Sequence, residues 1–340
     1  MNNSLSSPGS NPKPTLAFCG VGWMGKMRLK AVLESDLAKV LVIADPSAVC
    51  RIEALELAQQ AELYDNWEET VNHPAVDGVV ISTPNFLHKA QTVAALEKGK
   101  SVFCQYPPGC SAAEVEVMIE AAGKSDRLLA VDFSYRYCDA FQQTREIIDS
   151  GELGTLFAVE LCFHSAMGPD KEWYYQIGQS GGGCMTDLGM HLLDFVLLAL
   201  GFPDIKRVES RLYAKGKRIE GRAQAEDYGT ALIDLSTGVQ LTLTSSWHLH
   251  TGSAATIRAG FYGTGGAVSL QNINGSFFDF AAFLHKGASR QWLSGTPENW
   301  TDGALLDWIR RLSVNPRYDP AAENYIHSAR LLDRIYEQAV

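Results

Sequence analysis

The segment TLAFCGVGWMG, from Thr15 to Gly25, decides how the first part of the chain folds. A short apolar run is followed by a G-x-G-x-x-G turn and then by the helical pattern KMRLKAVLES. In this context Gly20 permits a tight turn, Gly22 lets a pyrophosphate approach the backbone, and Gly25 permits close packing of helix on strand. The N–H groups at the start of the helix would bind the phosphates. The residues of this turn that we expect at a dinucleotide are Gly20, Gly22, Trp23, Met24 and Gly25. A glycine-rich turn without a ligand is the alternative.

The second predicted strand, KVLVIAD, ends at Asp45. Its distance from Gly20 is close to the spacing of about 20 residues at which a carboxylate accepts the ribose hydroxyls of a dinucleotide. A carboxylate there repels a 2′-phosphate, so the sequence favours NAD over NADP. The alternatives are that Asp45 only begins the Asp-Pro turn and that Arg51 turns toward a phosphate.

Strand-like runs alternate with helical patterns from Thr15 to about Arg136. This alternation predicts parallel pairing with right-handed crossovers, and therefore an α/β domain with a doubly wound parallel sheet. The strands that we expect are TLAFCG, KVLVIAD, GVVISTP, SVFCQYP and LLAVDFSY. We assign residues 15–136 to this dinucleotide-binding domain and residues 1–14 to a disordered tail.

The regular alternation of strands and helices does not continue in residues 137–340. These residues form the predicted second domain, which we expect to bind substrate and to mediate oligomerisation. Runs such as QLTLTSSW alternate apolar and polar residues, as in a sheet with one packed face and one open face. We expect an α+β domain built on an open, mostly antiparallel sheet. The open face is a natural subunit contact, so we expect a homodimer or homotetramer.

The charge composition argues against two classes of binding partner. The 340 residues are 46% hydrophobic and carry a formal net charge of −10, with no run of Lys and Arg. Nucleic acids and anionic membranes need concentrated positive charge, so neither is an expected partner. The longest apolar run, Leu192 to Leu200, is short for a membrane span.

The seven cysteines lack a C-x-x-C pair, and the first fourteen residues lack the apolar core of a signal peptide. We therefore expect neither disulfides nor a zinc site, and a cytoplasmic location.

The chain resembles the glucose-fructose oxidoreductase / inositol dehydrogenase (Gfo/Idh/MocA) family of two-domain dehydrogenases. The resemblance covers nearly all of the chain after the tail and rests on GVGWMG, VVISTPNFLH, AALEKGKSVFCQYP, GELG and GGGCMTDLGMHLLD. It implies an N-terminal nucleotide-binding (Rossmann) domain, a C-terminal domain on an open sheet, and an active site in the cleft between them. It also implies that several side chains lie along the cofactor, namely Thr83, Pro84, Asn85 and His88, with Gln105 and Tyr106 beside the nicotinamide. Taken alone, Thr83 to Asn85 is also a good strand-ending turn, and His88 is also compatible with the first turn of a helix.

Asp187 and His191 are four residues apart on a predicted helix from about Thr186 to Leu200, so they share one face. That helix is apolar nearly all round, which predicts burial and makes an ionisable pair costly unless it is paired or functional. The resemblance implies that His191 is the base that takes the hydroxyl proton, while Asp187 binds a neighbouring hydroxyl. The alternatives are a helix N-cap for Asp187 and a core histidine for His191.

Gln105-Tyr106-Pro107 departs from the Glu-Lys-Pro motif of the family. The family lysine donates a hydrogen bond to the reacting oxygen. Tyr106 can also donate one bond and can act as an acid, but it brings no fixed charge. Biliverdin reductases, a distant branch of the family, also carry tyrosine here, although they lack the GGG…D…H segment.

Three more positions, Trp173, Arg136 and Ser134, complete the predicted site region. Trp173 precedes the glycine run and either stacks on a sugar ring or belongs to the core. By the resemblance, Arg136 and Ser134 would face the cleft. Trp247 ends a strand of the second domain beside His248 and His250, where no carboxylate or cysteine lies at metal-ligand spacing, so we expect no metal site.

The interpretation that we favour is an NAD-dependent dehydrogenase or reductase acting on a sugar, cyclitol or similar polyol, with Tyr106, Asp187 and His191 as catalytic residues. One alternative is a reductase that uses Tyr106 as proton donor for a non-sugar carbonyl or conjugated substrate. The other is a cofactor-binding protein without turnover. Retention of both Asp187 and His191 argues against that last alternative.

Overall fold

The computed structural model describes residues 12–294 and 300–339. Most of the tail expected at residues 1–14 lies outside the described residues.

The first part of the chain forms a six-stranded parallel sheet in the order β3-β2-β1-β4-β5-β6. Its strands are β1 (Thr15–Cys19), β2 (Lys39–Ala44), β3 (Glu62–Tyr64), β4 (Gly78–Ile81), β5 (Ser101–Cys104) and β6 (Leu129–Val131). The helices between them are α1 (Trp23–Ser35), α2 (Ala48–Leu57), α3 (Glu68–Asn72), α4 (Asn85–Glu97) and α5 (Ala112–Ser125). All residues of β4 and β5 are buried because helices cover both faces of the sheet. The strand order reverses next to β1, and such a switch point creates a ligand crevice at the carboxyl ends of the strands.

The second part of the chain forms a nine-stranded mixed sheet in the order β15-β14-β13-β12-β7-β11-β10-β8-β9. Its strands are β7 (Leu156–Ser165), β8 (Ile205–Ala214), β9 (Lys217–Ile219), β10 (Tyr228–Leu235), β11 (Gln240–Ser246), β12 (Ala255–Gly263), β13 (Ala267–Asn272), β14 (Phe280–Lys286) and β15 (Ser289–Ser294). Only the central pair, β7 with β11, is parallel among the pairs of this sheet in the described chain. The predicted fold class is therefore confirmed.

One face of the second sheet carries the larger core. Leu241 and Leu243 of β11 are fully buried, whereas Thr242 and Thr244 between them are only half-buried. The remaining helices are α6 (Asp139–Asp149), α7 (Ile177–Ser180), α8 (Met190–Ala199), α9 (Gly303–Val314) and α10 (Tyr325–Glu337). Helices α6, α8 and α10 pack on this core.

Helix α9 follows the predicted boundary at residue 137 but packs on the first sheet. Its Trp308 is fully buried and packs on Phe103 of β5, with ring centroids 5.8 Å apart. Leu305 and Ile309 belong to the same cluster as the β1 residues of the first sheet. The helix therefore covers the first sheet, although its sequence position had assigned it to the second domain.

The helical run Ile177–Ala199 is long and apolar enough to cross a membrane by length and composition, but 89% of its most apolar window is buried inside the protein. Such burial is typical of a core helix.

Candidate active site

The glycine turn is held by close contacts with the backbone. Gly20 has a φ of 85°, and a Cβ there would lie 2.8 Å from the carbonyl oxygen of Ser82. A Cβ on Gly25 would lie 2.2 Å from the carbonyl oxygen of Gly20, so helix α1 packs against the turn. Nothing lies within 4 Å of a Cβ on Gly22, which leaves this backbone open to a ligand. Trp23 begins α1 and is 64% exposed, while Met24 is half-buried.

Asp45 follows β2 and faces the glycine turn. Its carboxylate accepts the N–H of Val21 at 2.9 Å and the N–H of Ser47 at 2.8 Å. Arg51 donates to the carbonyl oxygen of Asp45 at 2.5 Å rather than pointing away from it. These bonds hold a carboxylate at the end of β2, next to the turn that would receive the pyrophosphate.

Gln105 carries an unpaired acceptor at the carboxyl end of β5. Its side chain is 8% exposed, and the Oε1 atom has no hydrogen-bond partner among the described residues. A buried acceptor without a donor is costly, and a ribose or carboxamide group of a nicotinamide dinucleotide would satisfy it. Together with the open backbone at Gly22, this atom shows that the residues present fit such a cofactor.

Thr83, Pro84, Asn85 and His88 follow β4, and three of their side chains have protein partners. The Thr83 hydroxyl bonds to Gln91 at 2.7 Å, and Asn85 donates to the carbonyl oxygen of Ser180 at 2.8 Å. Pro84 precedes α4. These contacts tie the β4 turn to α4 and to the second domain.

His88 lies inside the protein between the turns that follow β4 and β5. It is fully buried, with its ring nitrogens 2.7 Å from the carbonyl oxygen of Thr83 and 2.8 Å from that of Pro107. Burial lowers the pKa of His88. The neutral imidazole has one N–H and therefore donates to one of these two carbonyl oxygens.

Tyr106 lies over His191. The peptide bond between Tyr106 and Pro107 is cis. The ring centroids of Tyr106 and His191 are 3.6 Å apart, and the Tyr106 hydroxyl donates to the backbone carbonyl of Asp187 at 2.9 Å. Burial raises the pKa of Tyr106 well above its usual value. The phenol is thus a neutral group that ties the end of β5 to the turn before α8.

Asp187 lies in a π-helical turn, Met185–Gly189, that leads into α8. The α-helix predicted from about Thr186 therefore begins later, at Met190. The Asp187 carboxylate accepts the indole N–H of Trp247 at 2.9 Å, so it binds a side chain rather than capping the helix. Burial raises the pKa of Asp187 to about 6, and the Trp247 bond opposes this rise.

His191 is 8% exposed and lies between Tyr106 and Tyr135, whose ring centroid is 4.6 Å away. Its Nδ1 atom is buried and has no hydrogen-bond partner among the described residues. Burial lowers the pKa of His191 to about 3. Near neutral pH the site therefore holds a neutral imidazole and an ionised Asp187.

Glu226 fixes the glycine run that precedes these residues, and the sequence did not point to it. Its carboxylate is fully buried and accepts the N–H of Gly183 at 3.0 Å and the N–H of Met185 at 2.8 Å. It also accepts the hydroxyl of Tyr336 at 2.8 Å. Burial raises the pKa of Glu226 to about 7. A Cβ on Gly183 would lie 2.0 Å from the backbone carbonyl oxygen of Glu226, which explains a glycine at this position.

Arg136 and Ser134 have hydrogen-bond partners within the protein. The Arg136 guanidinium makes a bidentate pair with Asp194 of α8, at 2.7 and 2.6 Å. Ser134 donates to the carboxylate of Asp132 and to the carbonyl oxygen of Thr301. Asp132 in turn pairs with the buried Arg28 of α1. These bonds connect the first sheet to the second domain.

Trp173 stacks on Tyr174, with ring centroids 3.8 Å apart. Burial and then the charge of Asp187 raise the pKa of Tyr174, so this phenol lies near the site although the sequence did not point to it. His248 contacts the Tyr175 hydroxyl at 3.2 Å, and His250 is exposed. In residues 12–294 and 300–339, no group of three or more His, Cys, Asp or Glu side chains is arranged to hold a metal.

The parallel sheet carries the glycine turn, and Tyr106 at its edge contacts Asp187 and His191 of the second domain. Together these features are those of a two-domain oxidoreductase of the NAD-binding type. The chain belongs to the Gfo/Idh/MocA family, as the sequence resemblance indicated. Residues 15–133 match the family model of oxidoreductases with an NAD-binding Rossmann fold, and residues 141–269 match the model of the GFO/IDH/MocA C-terminal domain.

Two relatives illustrate the similarity. D-glucoside 3-dehydrogenase of Escherichia coli (strain K12) is 27% identical over 255 residues, which cover 72% of this chain and 70% of the relative. The rhizopine catabolism protein MocA of Rhizobium meliloti is 27% identical over 286 residues, which cover 81% and 88% of the two chains.

Solved structures share the fold. Levoglucosan dehydrogenase in complex with NADH aligns with a TM-score of 0.80 at 19% identity, covering 96% of each chain. GenD2 from gentamicin A biosynthesis in complex with NAD aligns with a TM-score of 0.80 at 20% identity, covering 99% of this chain and 97% of the other.

Proposed function

We propose that this protein is an NAD-dependent dehydrogenase or reductase that interconverts a secondary alcohol and a ketone on a sugar, cyclitol or similar polyol, with His191 as the acid–base group. The observation that carries the proposal is the contact between His191 and Tyr106. Since Tyr106 follows β5 directly after Gln105, the imidazole lies at the edge of the sheet where doubly wound folds bind ligands.

The chemistry requires two transfers from the alcohol. A bound nicotinamide dinucleotide would supply the acceptor for the hydride from the alcohol carbon. The hydroxyl proton moves to His191, and the carbonyl forms. A neutral imidazole can accept this proton, and the same group returns it in the opposite direction.

Asp187 completes the proposed acid–base site. Its carboxylate is held by Trp247 and lies one helical turn before His191. An ionised carboxylate accepts a substrate hydroxyl and favours the imidazolium that forms during oxidation.

The NAD preference rests on Asp45. Its carboxylate is fixed beside the glycine turn by two backbone N–H groups. One nitrogen of the Arg51 guanidinium donates to the Asp45 carbonyl oxygen. A fixed negative charge here suits ribose hydroxyls and disfavours a 2′-phosphate.

The hydrogen bond of Tyr106 favours this function over a reductase that uses Tyr106 as the proton donor. The phenol proton is directed to the Asp187 carbonyl. A proton donor needs its O–H directed to the substrate, so His191 is the better candidate.

The names of the relatives support a sugar or cyclitol as substrate. They include D-glucoside 3-dehydrogenase and scyllo-inositol 2-dehydrogenase (NADP(+)) IolW of Bacillus subtilis (strain 168), which is 27% identical over 184 residues. The test is to incubate the purified protein with NAD and a panel of sugars and cyclitols and to follow the absorbance of the reduced nicotinamide. We expect reduction with at least one of them. The absence of reduction with the whole panel, and of oxidation of NADH by the corresponding ketoses, would contradict the proposal.

A further inference from the structure

A cavity of about 660 Å³ lies at the corner of the second sheet. Its volume is in the range of small-molecule sites. It opens where β8 ends, where β10 begins and beyond the end of β11. Its lining includes Arg211, Tyr213, Lys215, Asp227, Tyr228 and Trp247.

Two cations in this cavity are available to a ligand. Arg211 lies on the open face of β8, and Lys215 lies in the turn between β8 and β9. Neither side chain takes part in an ion pair or a side-chain hydrogen bond among the described residues, whereas Arg207 on the same strand pairs with Glu209. The N–H of Lys215 donates to the Asp227 carboxylate at 2.7 Å, which fixes the turn at the edge of the cavity.

Aromatic rings form another part of the wall. Tyr213 and Tyr228 meet edge to face, with centroids 6.0 Å apart. His164 stacks in parallel on Tyr228 at 6.2 Å. Ring faces and phenol hydroxyls suit the apolar and polar faces of a sugar-sized molecule.

Trp247 connects the cavity to the candidate active site. Its indole lines the cavity, while its N–H binds the Asp187 carboxylate at 2.9 Å. The cavity and the Asp187 carboxylate therefore contact the same indole ring, and a substrate bound at Asp187 would have to extend past this ring to enter the cavity.

We infer that this cavity binds an anionic group, a phosphate or a carboxylate, carried by the sugar-like substrate at a distance from the reacting carbon. The inference rests on the proposed function for the sugar-like part of the ligand. The chain carries a net charge of −10, so its overall field opposes anions and a local pair of cations is required to hold one. Arg211 supplies the planar fork that matches a phosphate or carboxylate, and Lys215 supplies a second charge.

The test compares D-glucose 6-phosphate and D-glucuronate with neutral D-glucose by calorimetric titration of the full chain, with and without NADH. We expect each anion to bind at least about tenfold more tightly than D-glucose, since one charge-assisted contact contributes this much. Tighter binding of one of the two anions identifies the bound group as a phosphate or as a carboxylate. Equal affinities, or no binding of either anion, would overturn the inference.

The double substitution Arg211→Gln with Lys215→Gln should remove the preference for the anions. The matched control is Arg207→Gln on β8 with Lys217→Gln on β9, both outside the cavity lining, and it should keep the preference. If both double variants behave as the wild type does, the anion binds elsewhere and the inference is wrong.

Turnover separates this inference from the proposed function. Reduction of NAD by neutral sugars, with no preference for anions in binding, would overturn the anion site alone. A preference that depends on Arg211 and Lys215, without nucleotide-dependent turnover of any sugar, would support the anion site and contradict the proposed function.

Discussion

The indole Nε1 atom of Trp247 lies 2.9 Å from the Oδ2 atom of Asp187, so the residue that follows β11 holds the carboxylate of the turn before α8. Trp247 is 3% exposed and Asp187 lies in the turn before α8. A buried donor stabilises the ionised form of a carboxyl group. This bond keeps Asp187 charged at a position where burial alone favours its protonation.

Trp247→Phe keeps an aromatic ring but removes the donor. The pKa of Asp187 should then rise from about 6, by roughly one unit for a charge-assisted bond of this kind. Activity is lost as the pH falls and Asp187 takes up a proton, so the acid limb of kcat/KM should move to higher pH. The pH dependence of NAD reduction measures this shift.

Trp300→Phe is the matched control, because the indole of Trp300 donates to the carbonyl oxygen of Phe278 and not to Asp187. Its acid limb should stay in place. Equal profiles for the wild type and Trp247→Phe would show that the indole does not tune Asp187.

Tyr106→Phe should lower turnover only modestly, by about tenfold or less, because the hydroxyl binds the Asp187 carbonyl and its loss removes one positioning bond. The ring, which packs on His191, is kept. Comparison of kcat for this variant and for His191→Ala distinguishes the two proton donors. A larger loss in Tyr106→Phe would favour the reductase that depends on Tyr106.

Asp45→Asn removes the negative charge beside the glycine turn. The wild type should bind NADH more tightly than NADPH, and the substitution should narrow or reverse this difference because the 2′-phosphate no longer meets a carboxylate. Fluorescence titration with both nucleotides measures the two dissociation constants. Tighter binding of NADPH by the wild type would contradict the assigned preference.

Glu226→Ala leaves the N–H of Met185 without its acceptor and removes one of the two acceptors of the Gly183 N–H, the other being the Tyr336 hydroxyl. An unpaired buried donor costs about 1–3 kcal/mol, so the free energy of unfolding should fall by at least this amount. Urea unfolding provides the measurement. Glu209→Ala, on exposed β8, is the control and should change stability by about 0.5 kcal/mol or less. A loss in Glu226→Ala no larger than in this control would show that the carboxylate does not anchor the glycine run.

Local patterns predicted much of the fold. The glycine turn, the alternation of strands and helices, and the four-residue spacing of Asp187 and His191 all depend on neighbours along the chain. The three-residue edge strand β3 was missed because Glu62–Tyr64 is too short to show a period. The sequence predicted an α-helix at Asp187, where the structure has a π-helical turn. Both kinds of helix place residues four apart on nearly the same face, so this spacing does not distinguish them.

Contacts between distant parts of the chain were outside the reach of such patterns. Trp247 and Asp187 are 60 positions apart, and Glu226 and Met185 are 41 positions apart. Nothing in QAEDYG indicates that Glu226 is fully buried. The packing of α9 on the first sheet is also non-local, because Trp308 meets Phe103 only after the second domain has been completed.

The most direct test of the proposed function is the turnover of His191→Ala, measured together with its affinity for NADH. Removal of the acid–base group should lower kcat by about 10²–10⁴-fold, while NADH binds as it does to the wild type because His191 lies on α8, apart from the glycine turn. His327→Ala on α10 should behave as the wild type does. A His191→Ala variant that reduces NAD at the wild-type rate would contradict the assignment of His191 as the acid–base residue.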